Sequence, residues 1–157
     1  PNTGGGNKKK KKPPKKPEKP KNITYESEIH EKLKAIPSFK LEQIYYSLCS
    51  IDLENHTPLL SVGAWSFLES LTAKAGRNST TDFHSFLSKE KLQGMGISDG
   101  QNMKSLRQAV ERISGYGNTT KHHENSANFN GAQLVNDMDS LKEVICKLAE
   151  STKKSGT

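Results

Sequence analysis

The 157-residue chain is long enough for one ordinary domain with a real core, and its 24 Lys and Arg against 17 Asp and Glu give a formal net charge of +7. No apolar run approaches the ~20 residues of a membrane span, and no charged-then-apolar leader opens the sequence, which sets aside membrane-embedded classes. The two cysteines, Cys49 and Cys146, sit in apolar helical stripes without CxxC or zinc-like spacing. That usage fits reduced, buried thiols in a cytoplasmic protein.

The charge is unevenly placed. Residues 1–22 hold nine lysines and one glutamate, a net +8 against +7 for the whole chain, which leaves −1 for residues 23–157. The high isoelectric point therefore belongs to the first segment, and a broad phosphate-gripping surface on the remainder is not expected. That segment combines Gly4-Gly5-Gly6 and Lys8 to Lys12 with Pro13, Pro14, Pro17 and Pro20. It has almost no apolar side chains to offset the entropy of ordering, so a disordered linker with polyproline II character is expected. The same lysines (Lys8, Lys9, Lys10, Lys11, Lys12, Lys15 and Lys16) are also candidates for a salt-sensitive, sequence-blind grip on a nucleic-acid backbone or an acidic membrane. The chain does not begin with Met. It is read as the C-terminal piece of a longer protein, with a further domain ahead of the linker.

Helical periodicity dominates the remainder of the chain. Ile29, Leu33 and Ile36 share one face over residues 25–36, and Pro37 stops that helix. Ser38 is placed to cap a second, where Leu41, Ile44, Leu48 and Ile51 recur at three and four, with Tyr45 and Tyr46 widening the apolar side. Residues 52–56 read as a polar break. Thr57-Pro58 then has the chemistry of a helix start, with inward-facing Leu60, Ala64, either Phe67 or Leu68, Leu71 and Ala75, and with Trp65 as the expected core anchor. Gly63 inside that helix costs about 1 kcal/mol relative to Ala, which predicts a close neighbouring helix; Gly76 is a natural stop.

A loop over 76–81 leads to a short helix at 82–93 carrying Phe83, Phe86, Leu87 and Leu92, then an irregular stretch from Gln93 to Ile97. Ser98-x-x-Gln101 has capping-box spacing ahead of a helix with Met103, Leu106, Val110 and Ile113 on one face. Asn130-x-x-Gln133 repeats that spacing before the clearest amphipathic stripe: Leu134, Met138, Leu141, Ile145 and Leu148. Strand-like alternation is missing. The class is all-α, an antiparallel bundle of five to six helices over residues 23–152, with residues 153–157 frayed.

Between those two helices lies Arg112-Ile-Ser-Gly-Tyr-Gly-Asn-Thr-Thr-Lys-His-His123. Gly115 and Gly117 are expected to break the helix, leaving Asn118, Lys121, His122 and His123 as a donor-rich corner with a pH-sensitive member. Metal-free RNA cleavage needs a base, an acid and a cation for the phosphate charge. His122 or His123 is able to move the protons and Arg112 or Lys121 to supply the charge. The structural alternative has Asn118 satisfying backbone groups and the histidines bonding a loop. His30, His56 and His84 stand alone, and no set of ligand side chains has metal spacing, so neither metal nor cofactor is called for.

Three stretches in order, Gly63 to Gly76, Ile113 to His122 and the final amphipathic helix, resemble the HEPN superfamily of small helical bundles. In one branch a Leu-Glu-rich helix precedes a Gly-Asn segment with a His four residues after the Asn, as Gly117, Asn118 and His122 stand here. The resemblance spans roughly residues 57–150. Its ribonucleases carry an arginine four to six residues before the histidine. No arginine falls in that window, Ser114 occupies the equivalent place in the Gly-Asn branch, and Arg112 is ten positions before His122. The resemblance therefore implies a bundle, a tendency to form homodimers, and attachment to prokaryotic defence or nucleic-acid-handling proteins. The expected role is a non-catalytic interaction and dimerisation domain. A metal-independent endoribonuclease using His122 and Asn118 and a nucleic-acid binder acting through the lysine segment are the alternatives.

Overall fold

The computed structural model describes residues 12–97, 102–122 and 130–153, and among them the fold is all-helical, with eight helices and no strand. These are α1 (Ser27–Lys34), α2 (Phe39–Ser50), α3 (Leu53–Lys74), α4 (Phe83–Phe86), α5 (Lys89–Gly94), α6 (Asn102–His122), α7 (Gly131–Ser140) and α8 (Lys142–Lys153). Six expected helices account for all eight, because the 82–93 helix divides into α4 and α5 and the last one divides at Leu141. The capping motif Ser98-x-x-Gln101 lies outside the described residues. Residues 12–20 have no secondary structure. Lys21 and Asn22 are already tied to the fold, since the Lys21 carbonyl accepts from the Leu53 N–H at 2.9 Å and the Asn22 amide donates to the Ile51 carbonyl at 3.1 Å.

α3 is the axis of the bundle, touching α2, α4, α6, α7 and α8, while α1 packs on α2 and α8. The reason is compositional: Leu60, Ala64, Phe67, Leu68 and Leu71 give α3 a wide apolar face, and all are fully buried. Burial of each Leu or Phe contributes about 1.5–3 kcal/mol. Val110 and Ile113 of α6 and Val144, Ile145 and Leu148 of α8 are buried in the same core. The expected stripes on α6 and on α7–α8 are buried residue for residue. Trp65 departs from its expected place. It is half-buried at the edge of the core, in T-shaped contact with Phe83, and the large enclosed rings are Tyr45, Phe67 and Phe83. Tyr46, expected to widen the apolar side of α2, is 61% exposed.

Local chemistry sets the helix ends. Asp52 caps one extra turn by accepting from the Asn55 N–H at 3.1 Å, so the anticipated polar break is helical. His56 then leaves helical geometry (φ −130°, ψ 19°) because Pro58, lacking an N–H, crowds the carbonyl of the preceding turn. The expected start at Thr57-Pro58 is thus a kink, and the Thr57 hydroxyl donates backwards to the Leu53 carbonyl at 2.6 Å. Ser38 occupies the cap position of α2 without a side-chain capping bond. Gly76 (φ +100°) ends α3 in a left-handed turn in which the Arg77 N–H reaches back to the Thr72 carbonyl at 2.9 Å.

Gly115 and Gly117 do not break α6, which continues to His122. At Gly117 a Cβ would stand 2.3 Å from the Trp65 Cβ, so the glycine lets α6 approach α3 closely, and packing there outweighs its poor helix propensity. Gly63 follows the same logic against Leu48 of α2, at 2.8 Å from an added Cβ. A Cβ added at Gly115 would meet no neighbouring group within 4 Å. Gly117→Ala is therefore expected to lower stability by about 1–2 kcal/mol despite its better propensity, as overpacked sites do. Gly115→Ala should raise it by about 0.5–1 kcal/mol. Urea unfolding of the two variants should move the midpoint in opposite directions.

Candidate functional site

Because α6 stays helical, its polar residues are laid out by a 1.5 Å rise per residue rather than gathered in a loop. Arg112 and His122 are then about 15 Å apart along the axis, too far to act on one phosphate. Asn118 is exposed and one turn from His122. The His122 side chain and all of His123 lie outside the described groups.

Arg112 is committed elsewhere. Its guanidinium grips Asp137 of α7 through two oxygens, Nη2 to Oδ1 at 2.7 Å and Nε to Oδ2 at 3.0 Å. The Asp137 side chain is 4% exposed against 34% for Arg112, so the contact supplies the donors a carboxylate removed from water must have. The Gln133 amide adds a third donor to Asp137 at 2.9 Å, one turn back on the same helix. Hydrogen bonding to Asp137 holds the Arg112 pKa above its ordinary value. Beside this group a cavity of about 20 Å³, bordered by Ser61, Tyr116, Asn130 and Asp137, has room for one water.

Lys121, the other candidate cation, lies over the indole face of Trp65 with Nζ 3.6 Å from the ring centroid. Two of the corner's cations thus sit in structural contacts, Arg112 in a tie from α6 to Asp137 of α7 and Lys121 on the face of Trp65. Of the lysine segment, Lys12, Lys15 and Lys16 are exposed, whereas Lys8, Lys9, Lys10 and Lys11 lie outside the described residues.

Several polar contacts had no sequence signature. His30 is not isolated: it links Tyr25, whose hydroxyl bonds Nδ1, to Glu42 of α2, 3.0 Å from Nε2. Arg77 holds the loop after α3 by donating to the Glu69 carbonyl (2.9 Å), the Thr81 carbonyl (2.6 Å) and the Thr72 hydroxyl (2.9 Å). Arg107 donates to the His84 and Leu87 carbonyls at the end of α4, at 2.8 and 2.7 Å. The Gln133-x-x-x-Asp137 spacing was readable as a helical pair; that Arg112 would face it was not. Among the described residues no group of three His, Cys, Asp or Glu is placed to hold a metal ion.

One feature does invite a ligand. Between α2 and α3 runs an open groove of about 450 Å³ whose apolar walls are Ile44, Leu48, Ile51, Leu59 and Leu60. Leu59 is 57% exposed, and Phe39 and Tyr46, a heptad apart on the outward side of α2, are 81% and 61% exposed. Searches against protein-family models, curated proteins and solved structures found no match.

Two outcomes test this assignment. Arg112→Met should cost about 2–3 kcal/mol in urea unfolding, because the enclosed Asp137 carboxylate loses its counter-ion. Cys49 and Cys146 are free thiols, and burial pushes Cys49 up to about 11. Its thiolate fraction at pH 7.5 should be ~100-fold below that of the unfolded chain, so native alkylation should be slower by that order. The half-buried Cys49 thiol costs nothing below the ordinary cysteine range, and stability falls as pH rises from about 9 toward 11, where only the unfolded chain ionises.

Proposed function

We propose that the chain is a helical interaction domain that self-associates and performs no chemistry of its own. The observation that carries this reading is the uncovered apolar surface of α2 and α3, with Leu59 in the wall of an open groove and Phe39 and Tyr46 exposed elsewhere on α2. Monomeric proteins rarely leave contiguous apolar patches in water, and such patches mark interaction sites. Arg112 adds support from the other side, since the cation that cleavage would require neutralises Asp137 instead. The HEPN resemblance of Gly117, Asn118 and His122 gives the setting: a dimerising bundle in a prokaryotic defence or nucleic-acid-handling protein. The exposed lysines at 12, 15 and 16 favour an accompanying role for their segment as a weak, salt-sensitive contact to nucleic acid.

Sedimentation of residues 1–157 from about 1 μM to about 1 mM spans association energies of roughly −8 to −4 kcal/mol. A reversible oligomer is expected there, and a strict monomer at the top of the range would remove self-association. RNA incubated with the protein in chelator should stay intact. Cleavage that survives chelator and vanishes in His122→Ala would establish the metal-independent ribonuclease in its place.

A further inference from the structure

Two openings along the α2–α3 seam share one residue. Lys40 lines the apolar groove, and it also lines a recess of about 480 Å³ farther along the same pair of helices. Ser38 and Lys40 reach this recess from the start of α2, Glu69, Ser70 and Lys74 from the end of α3, and Arg77 from the turn beyond. Its one carboxylate is already answered: Arg77 Nη2 lies 3.1 Å from the Glu69 Oε1, and the other Arg77 donors go to the Thr72 hydroxyl and to backbone carbonyls. Lys40 and Lys74, both exposed, have no ion-pair partner among the described residues, and the hydroxyls of Ser38 and Ser70 make no hydrogen bond there. Three cations against one carboxylate leave the recess positive. In the groove Lys40 is the only charged lining residue. Past its Ile51 end, Asp52 and Glu54 share a recess with Lys19 and Lys21, so no net sign accumulates there. A Cβ added at Gly63 would stand 2.8 Å from the Leu48 Cδ2, so the groove is set by close helix packing and not by loops.

We propose that this seam binds a single-chain amphiphile with a phosphate head. The alkyl chain lies in the groove against Ile44, Leu48, Ile51, Leu59 and Leu60, and the phosphate sits in the recess between Lys40 and Lys74. There it accepts from both ammonium groups and from the Ser38 and Ser70 hydroxyls. Apolar burial supplies the affinity, and the few polar groups fix the orientation, as in most small-molecule sites. A phosphate monoester carries about two negative charges at neutral pH, which suits two unpaired lysines better than a carboxylate or a neutral head does. The inference stands apart from the self-association reading, since Phe39 and Tyr46 line neither opening.

The experiment is calorimetric titration of the full chain with dodecyl phosphate kept below its micelle-forming concentration. A one-to-one complex is expected. Shortening the chain to decyl should weaken it by about tenfold, roughly threefold per methylene. Lys40→Ala and Lys74→Ala should each weaken it by about fivefold or more, and Leu59→Ser by about threefold or more. All three positions are exposed, so folding should be retained, with circular dichroism and urea midpoints as the check. Lys104→Ala, exposed on α6, should leave binding unchanged. A loss in Lys104→Ala equal to that in Lys40→Ala would reduce the effect to diffuse charge and overturn the site. Equal affinity for inorganic phosphate would overturn the groove, and equal affinity for dodecanol or dodecyltrimethylammonium would overturn the basic end. Dodecanoate binding as tightly as dodecyl phosphate would overturn the phosphate head. Binding to vesicles of phosphatidic acid and phosphatidylcholine without binding to the monomeric amphiphile would assign the seam to a membrane surface. Affinity that falls as the chain oligomerises would assign the groove to a second copy, and either result would overturn the inference. A chain that stays monomeric yet binds dodecyl phosphate with this variant pattern would sustain it while ending the self-association reading.

Discussion

Everything in this bundle hangs on how closely α3 can approach α6. The backbone of α6 reaches the Trp65 Cβ only because residue 117 lacks a side chain; a methyl group there would stand 2.3 Å from it. Leu68 and Leu71 of α3 and Val110 and Ile113 of α6, two helices that pack together, are all buried. The close approach also leaves the indole turned outward far enough for Lys121 to lie on its face. A close-packed interior transmits such a constraint rather than absorbing it, which is why one glycine outweighs its cost in helix propensity.

Around this crossing, guanidinium groups do the work of joining elements that apolar contact alone would leave loosely registered. Arg112 binds α6 to α7 through Asp137, Arg77 binds the loop after α3 back to its own last turns, and Arg107 holds the carbonyl end of α4 against α6. Each satisfies several acceptors at once, which suits the fixed fork of arginine donors. α1 and α8 are joined by ion pairs instead, Lys32 to Glu150 at 2.6 Å and Lys142 to Glu26 at 3.0 Å. These partly exposed pairs orient more than they stabilise.

The consequence for function is a division of the surface. Arg112 and Lys121 are spent on internal contacts, whereas the α2–α3 side keeps apolar side chains in the walls of an open groove. A catalytic corner would show the reverse, with converging charged groups left free and apolar surface withdrawn.

What could be read from the order of residues alone was whatever depends on near neighbours. Three-and-four periodicity located every apolar stripe, Asn130 capped its helix through the Gln133 N–H, Gly76 stopped α3 with a positive φ, and Gly63 announced a helix passing close by. What only the tertiary structure decided was anything joining distant segments: that Gly117 is a packing point and not a break, that Trp65 belongs at the edge, and that Arg112 pairs with Asp137, 25 residues away. The physical reason is that a glycine weakens a helix by about 1 kcal/mol while a well-packed crossing stabilises it by more, and the crossing partner is invisible in the local sequence. The α2–α3 groove is of the same kind, since its two walls come from different helices.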